Sequence, residues 1–179
     1  MKPNSLQELY LEQLRDLYDA EHQIIKALPE MIEAATSTQL KQALNEHLNV
    51  TKTQATRLDQ IFTNLGEKAK GEKCKGMEGV LKEGSDLVGD IKDTDVRDAA
   101  IISAAQRVEH YEMAGYGTAR TFAELLEDAE ASQLLQQTLD EEKEADEKLT
   151  ELSENINLDA STKAVAGEKP GRPRKVSAA

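Results

Sequence analysis

The chain has 179 residues, and its 34 acidic and 22 basic side chains give a formal net charge of −12. Ala, Leu, Glu, Lys and Gln dominate, which favours helices over sheets, and a single cysteine excludes an internal disulfide. Because no signal-peptide pattern and no run of about 18 apolar residues is present, we expect a soluble, cytoplasmic protein without membrane contact. Residues 159–179 hold five basic and two acidic side chains, so residues 1–158 carry −15 and should repel nucleic acid.

Residues 5–35 show the apolar spacing of one long amphipathic helix, with Ser5 as the predicted N-cap. Pro29 removes a backbone hydrogen bond and is expected to bend this helix or to end it early. Because the apolar stripe continues beyond Pro29, we predict a bend. Glu21 occupies a gap in the stripe, and Tyr18 lies one turn earlier, from where its hydroxyl could reach a carboxylate of the site.

A second helix is predicted to begin at Thr36 or Ser37 and to end near Gly66. Its stripe is apolar at both ends and polar in the middle, from His47 to Gln54. On such a stripe, His47 is either a metal ligand or a hydrogen-bonded residue of the core, and Gln54 could support a site.

The segment 66–94 contains six glycines and one short predicted helix, from about Met77 to Val88. It is too long for a tight turn between helices. It suits a crossover along the outside of a bundle, which returns the chain to its starting end. Cys74 and Met77 offer only one thiol and one thioether, so we expect them to pack beneath the crossover rather than to bind a soft metal.

Two further long helices are predicted, at about 95–124 and from about Glu127 to Asn155. The first begins at a cap within DTD (93–95). The middle of each carries acidic residues at positions where a buried stripe normally has Leu: Glu109 and Glu112 in the third helix, Glu142 and Asp146 in the fourth.

Four long helices of similar length predict an all-α four-helix bundle over residues 1–158, in which the midpoints of antiparallel helices coincide. The polar gaps would then meet in one layer between apolar turns. Carboxylates with an imidazole suit iron or manganese, as one ion or a pair. The predicted ligands are Glu21, His47, Glu109, Glu112, Glu142 and Asp146. The alternative is a hydrated polar layer that sets helix register, or simple surface carboxylates of the kind expected at Glu141, Glu144, Glu147 and Glu151.

Five segments resemble the YciF-type ferritin-like proteins: LYDAE (17–21), TKTQATRLDQIF (51–62), CKGM (74–77), VRDAAIISAAQRVEHYEMAGYGT (96–118) and LDEEKEADEKL (139–149). The resemblance covers about residues 5–155 and implies a ferritin-like four-helix bundle, usually dimeric, bacterial and linked to stress responses, with a di-iron-type site. By position it carries over Glu21, Glu109, Glu112, Glu142 and Asp146. The second helix departs from the family pattern at Val50 and Gln54, where an acidic residue and often a His are expected, so the site is one-sided.

We therefore expect a stress-associated protein with a carboxylate-rich di-metal site, engaged in redox or peroxide chemistry, and a homodimer formed through one outer helix pair. The alternative is a non-enzymatic bundle with a DNA-contacting tail. Residues 159–179 are predicted to be a disordered basic tail, and KPGRPRK (169–175) resembles an AT-hook, which binds the A·T minor groove. A tail that only solvates the bundle is the simpler interpretation of that segment.

Overall fold

The computed structural model describes residues 3–163, and this part of the chain forms five α-helices. They are α1 (Leu6–Ala34), α2 (Thr38–Asn64), α3 (Lys75–Asp90), α4 (Thr94–Leu125) and α5 (Ala129–Lys163). None of the helices in the described range is long and apolar enough to cross a membrane. The AT-hook-like segment 169–175 lies outside the described residues.

The four long helices form a bundle in which α1 packs against α2 and α4, while α5 packs against α4 and α2. Asp98, near the start of α4, accepts hydrogen bonds from the backbone N–H groups of Thr36 and Ser37 at the end of α1, both at 2.7 Å. Further along α4, Tyr116 contacts Glu21 in the middle of α1. The two helices are therefore antiparallel. Since α2 is also antiparallel to α1, α2 and α4 run in the same direction and the chain between them must return along the bundle.

The crossover is the connection predicted for residues 66–94, with α3 lying on α1 and α4. Cys74 and Met77 are fully buried beneath it, as predicted. The Cys74 sulfur accepts the Met77 N–H and caps α3. The thiol and the Tyr111 hydroxyl, 3.0 Å apart, both lie within hydrogen-bonding distance of Asp16 Oδ2, at 3.2 and 3.1 Å. Gly76 lies so close to Tyr111 that a Cβ there would be 2.5 Å from the hydroxyl.

The helix starts follow the predicted caps in the first half of the chain. Ser5 and Ser37 accept backbone N–H groups three residues on, and Asp93 caps α4. α1 continues through Pro29 to Ala34, so the proline does not end the helix early.

Both predicted limits of the fourth long helix are wrong. It begins at Ala129 rather than at Glu127, because Glu127 has a φ of 59° and belongs to the left-handed turn that ends α4. It ends at Lys163, beyond Asn155 and beyond the boundary placed at residue 158, so residues 159–163 of the predicted tail are helical. The sequence has no helix breaker before Gly167, and Ala160 favours continuation of the helix.

The apolar core is divided into two clusters with a polar layer between them, as predicted. One cluster includes Tyr10, Leu14, Leu17, Leu58 and Leu135, and the other includes Ile24, Leu28, Leu44, Ile101 and Leu149. Glu21 lies between Leu17 of the first cluster and Ile24 of the second. The polar layer therefore separates the two apolar clusters.

Candidate metal centre

Four glutamates from three helices are buried in the polar layer. Glu21 in α1 and Glu142 in α5 have no exposed surface, and Glu109 and Glu112 in α4 are 2% and 1% exposed. Burying an ionised carboxylate costs several kcal/mol unless a cation or hydrogen-bond donors compensate it. The layer therefore needs either protons or a positive ion.

Four side chains converge closely enough to bind one ion. His47, Glu109, Glu112 and Glu142 each offer one ligand atom, and these four atoms lie within 4.8 Å of one another. His47 Nε2 is 3.4 Å from Glu109 Oε1. Ligands on opposite sides of an ion lie about 4 Å apart, given bonds of roughly 2.0–2.2 Å. A small inward movement of the side chains would therefore bring the four atoms to the separations found around a bound ion.

All four side chains of this group have a buried polar atom without a hydrogen-bond partner in the described structure. Hydrogen-bond partners are missing at His47 Nε2, Glu109 Oε2, Glu112 Oε1 and both carboxylate oxygens of Glu142. Buried polar side chains almost always have such partners. Because all of these atoms can donate a lone pair to a cation, the residues fit a metal ion.

The acid–base state of the layer favours the same conclusion. Burial, followed by repulsion between the carboxylates, raises the pKa values of Glu21, Glu109 and Glu112 well above their usual range. Burial raises the pKa of Glu142 to about 7 and lowers that of His47 to about 4. The imidazole is thus neutral near neutral pH, the form that binds metals. A cation entering the layer would displace protons from the carboxyl groups.

Comparison with known proteins assigns the chain to a family. Residues 5–161 match the family described as "Domain of unknown function (DUF892)". Protein YciF of Escherichia coli (strain K12) is 41% identical over 166 residues, which cover 92% of this chain and 100% of that protein. The chain belongs to the YciF-type family.

Solved structures agree with this assignment and confirm the ferritin-like fold. The crystal structure of the E. coli stress protein YciF has a TM-score of 0.84 at 40% identity, covering 87% of this chain and 99% of that one. YcfI from Rhodopseudomonas palustris has a TM-score of 0.81 at 47% identity, covering 82% and 94%. A Xanthomonas campestris protein, with a TM-score of 0.73 at 20% identity, covering 89% and 99%, shares the fold alone.

In this YciF-type chain, Glu21 is held by a tyrosine that the sequence analysis did not identify. The Tyr116 hydroxyl donates a hydrogen bond to Glu21 Oε1, and Glu21 Oε2 has no partner among the described residues. Tyr18 packs against the apolar core beside Phe62, but its hydroxyl donates to Asp59 Oδ1 at 3.0 Å and not to a carboxylate of the site. The available signal was spacing, since Tyr116 follows Glu112 by one helical turn.

The second helix, α2, supplies more side chains to the site and its surroundings than its sequence indicated. His47 joins the converging group, and Gln54 is 1% exposed with its amide nitrogen 3.3 Å from Glu141 Oε2. Arg57 donates two hydrogen bonds of 2.6 Å to the Glu141 carboxylate. Glu141, predicted to be a simple surface residue, is thus fixed in an ion pair beside the site. The positive charge of Arg57 lowers the pKa values of Glu21 and Glu142, although burial outweighs it.

Asp146 lies at the edge of the layer, outside the converging group. Its side chain is 21% exposed and 3.4 Å from His110 Nε2. Gln106 donates a 3.1 Å hydrogen bond to its other oxygen. Of the six predicted ligands, the structure brings four together, places Glu21 beside them in the same layer, and engages Asp146 with other side chains.

Proposed function

We propose that this chain binds iron or manganese in the polar layer and acts in redox chemistry during stress. The observation that carries the proposal is the convergence of three buried carboxylates and one neutral imidazole, each with a buried polar atom that lacks a hydrogen-bond partner among the described residues. Hard oxygen ligands with a single nitrogen suit iron and manganese better than zinc or copper. The stress role is an inference from the E. coli relative, a stress protein.

The first ion would be held by His47, Glu109, Glu112 and Glu142. Glu21 Oε2 is the remaining unpartnered carboxylate oxygen of the layer. A second ion would therefore depend on Glu21 together with a carboxylate shared with the first ion. The Arg57–Glu141 ion pair and the Tyr116 hydroxyl would keep the surrounding side chains in place.

When bound, iron or manganese would supply one-electron redox chemistry. The residues around it would control charge and protons. The neutral His47 would donate its Nε2 lone pair, and the carboxyl groups would release protons as they become ligands. Tyr116 would orient Glu21 through its hydrogen bond, and the two apolar clusters would exclude bulk water from both sides of the layer.

Metal analysis of the full chain, expressed with iron or manganese in the medium, tests this proposal. We expect stoichiometric metal in the wild type, a higher melting temperature with metal than after chelation, and loss of metal in His47→Ala. His110→Ala is the matched control, because the His110 side chain is 67% exposed and lies outside the converging group. Metal-free protein from both media, with no shift in melting temperature on metal addition, would refute the proposal.

Two predictions from the sequence concern partners and remain predictions. Light scattering on the full chain tests the homodimer. Titration of the full chain and of residues 1–163 against an A·T-rich duplex tests the DNA contact of residues 169–175, and equal binding by the two would exclude a role for that segment.

A further inference from the structure

A cavity of about 450 Å³ lies beside the metal centre, in the half of the bundle covered by α3. All five helices contribute to its wall, and α3 contributes Val80, Leu81 and Gly84. Most of the lining side chains are aliphatic, including Ile24, Leu28, Leu44, Ile101, Val108 and Leu149. The cavity has the size of a pocket for a small organic molecule, which is roughly 300–1,000 Å³.

The cavity reaches the metal centre directly. His47 and Glu109 belong both to its lining and to the converging ligand group. Each has a buried polar atom without a hydrogen-bond partner in the described structure, Nε2 of His47 and Oε2 of Glu109. A molecule in the cavity would therefore have its apolar part among aliphatic side chains and one end beside these two residues.

The charges of the lining restrict which molecule can bind. Among the described residues, five glutamates line the cavity, and Lys148 is the one Lys or Arg side chain in its lining. Lys148 is already paired with Glu46, and the lining residue Glu141 is neutralised by Arg57. In the metal-free protein, a fatty carboxylate would thus meet further acids and no unpaired Lys or Arg of the described lining, whereas a neutral or positively charged head group would avoid this repulsion.

We propose that this cavity is a binding site for an uncharged or cationic apolar organic molecule, such as an alkyl alcohol or amine, with its polar end at His47 and Glu109. Binding of this molecule requires the cavity and does not require a metal ion. That the bound molecule is a substrate of the metal centre rests on the proposed function above.

Calorimetric titration of the metal-free full chain with decanol, decylamine and decanoate, below their aggregation concentrations, tests the site. We expect decanol and decylamine to bind, and decanoate to bind at least about tenfold more weakly, a difference of about 1.4 kcal/mol. Ala27→Phe and Ala105→Leu fill the cavity from α1 and α4 and should each weaken decanol binding about tenfold or more. Ala114→Phe, on the exposed face of α4, is the matched control and should bind decanol as the wild type does.

The outcomes separate the two proposals. Absent decanol binding, equal or tighter decanoate binding, or binding unchanged in both cavity-filling variants would overturn the cavity proposal. A change of oligomeric state in those variants without a change in decanol binding would also overturn it, since a second copy of the chain would then cover this surface. Decanol binding by a protein that takes up no iron or manganese would refute only the metal proposal. Metal uptake without decanol binding would refute only the cavity proposal.

Discussion

Replacing Glu142 by Gln should stabilise the metal-free protein while abolishing metal binding. Glu142 is fully buried, and neither of its oxygens has a hydrogen-bond partner among the described residues. Gln has the same shape and no charge. Carboxyl oxygens of Glu109 and Glu112 lie within 4.8 Å of the Glu142 carboxyl group and can accept the N–H groups of the new amide. The substitution therefore removes the desolvation penalty without leaving a void.

The size of the effect follows from the pKa of Glu142, about 7 in the folded protein against an ordinary value of 4.5. Because the folded state holds this proton more tightly, the stability contributed by protonated Glu142 is complete below about pH 4.5 and is lost as the pH rises through about 7. At about 1.4 kcal/mol per pKa unit, the full loss is about 3 kcal/mol. The variant should thus gain about 3 kcal/mol over the metal-free wild type at about pH 8 and less than about 1 kcal/mol at about pH 5.

Urea unfolding after chelation, at both pH values, measures this gain. Glu147→Gln on the exposed side of the same helix is the matched control and should change the free energy of unfolding by less than about 0.5 kcal/mol. With iron or manganese present, the order should reverse, because only the wild type gains stability from metal. A metal-free Glu142→Gln variant no more stable than the wild type at about pH 8 would refute the reasoning.

Two further substitutions test the packing around the site by urea unfolding. Tyr116→Phe should lower the free energy of unfolding by about 1–3 kcal/mol, because it leaves Glu21 Oε1 buried without a donor. Tyr10→Phe removes a buried hydroxyl that has no partner in the described structure, so it should leave the free energy of unfolding almost unchanged. Similar losses in both variants would contradict the role of the hydrogen bond. Gly76→Ala should cost about 1–3 kcal/mol because its Cβ would lie 2.5 Å from a tyrosine hydroxyl. Gly79→Ala in the same helix has no atom within 4 Å and should gain about 0.5–1 kcal/mol. A tolerated Gly76→Ala would show that the crossover is not closely packed there.

The position of the polar layer along the helices could be predicted, because the apolar stripe of each long helix is interrupted near its middle. Glu21, Glu112 and Glu142 interrupt stripes that are apolar on both sides, and antiparallel helices of similar length bring their midpoints together. The structure places these three residues between two apolar clusters, as that argument requires. The fold and the residues of the layer therefore follow from periodicity within single helices.

Contacts between helices could not be predicted in the same way. Arg57 and Glu141 are 84 positions apart, and no spacing within α2 or α5 indicates that they face each other. Tyr18 and Tyr116 each lie about one turn from a buried glutamate, so periodicity alone does not decide which hydroxyl reaches the layer. Asp146 follows Glu142 by four residues, a rotation about 40° beyond one full turn. That rotation takes its side chain towards the bundle surface and His110.

The division of the core into two apolar clusters determines where this bundle depends on a bound ion. Each cluster packs the four long helices together on one side of the layer of acids. An ion bound in the polar layer would link the two halves of the bundle through its ligands from different helices. Removal of the ion by a chelator at alkaline pH, where the buried carboxylates would be left ionised and uncompensated, would loosen the middle of the protein first.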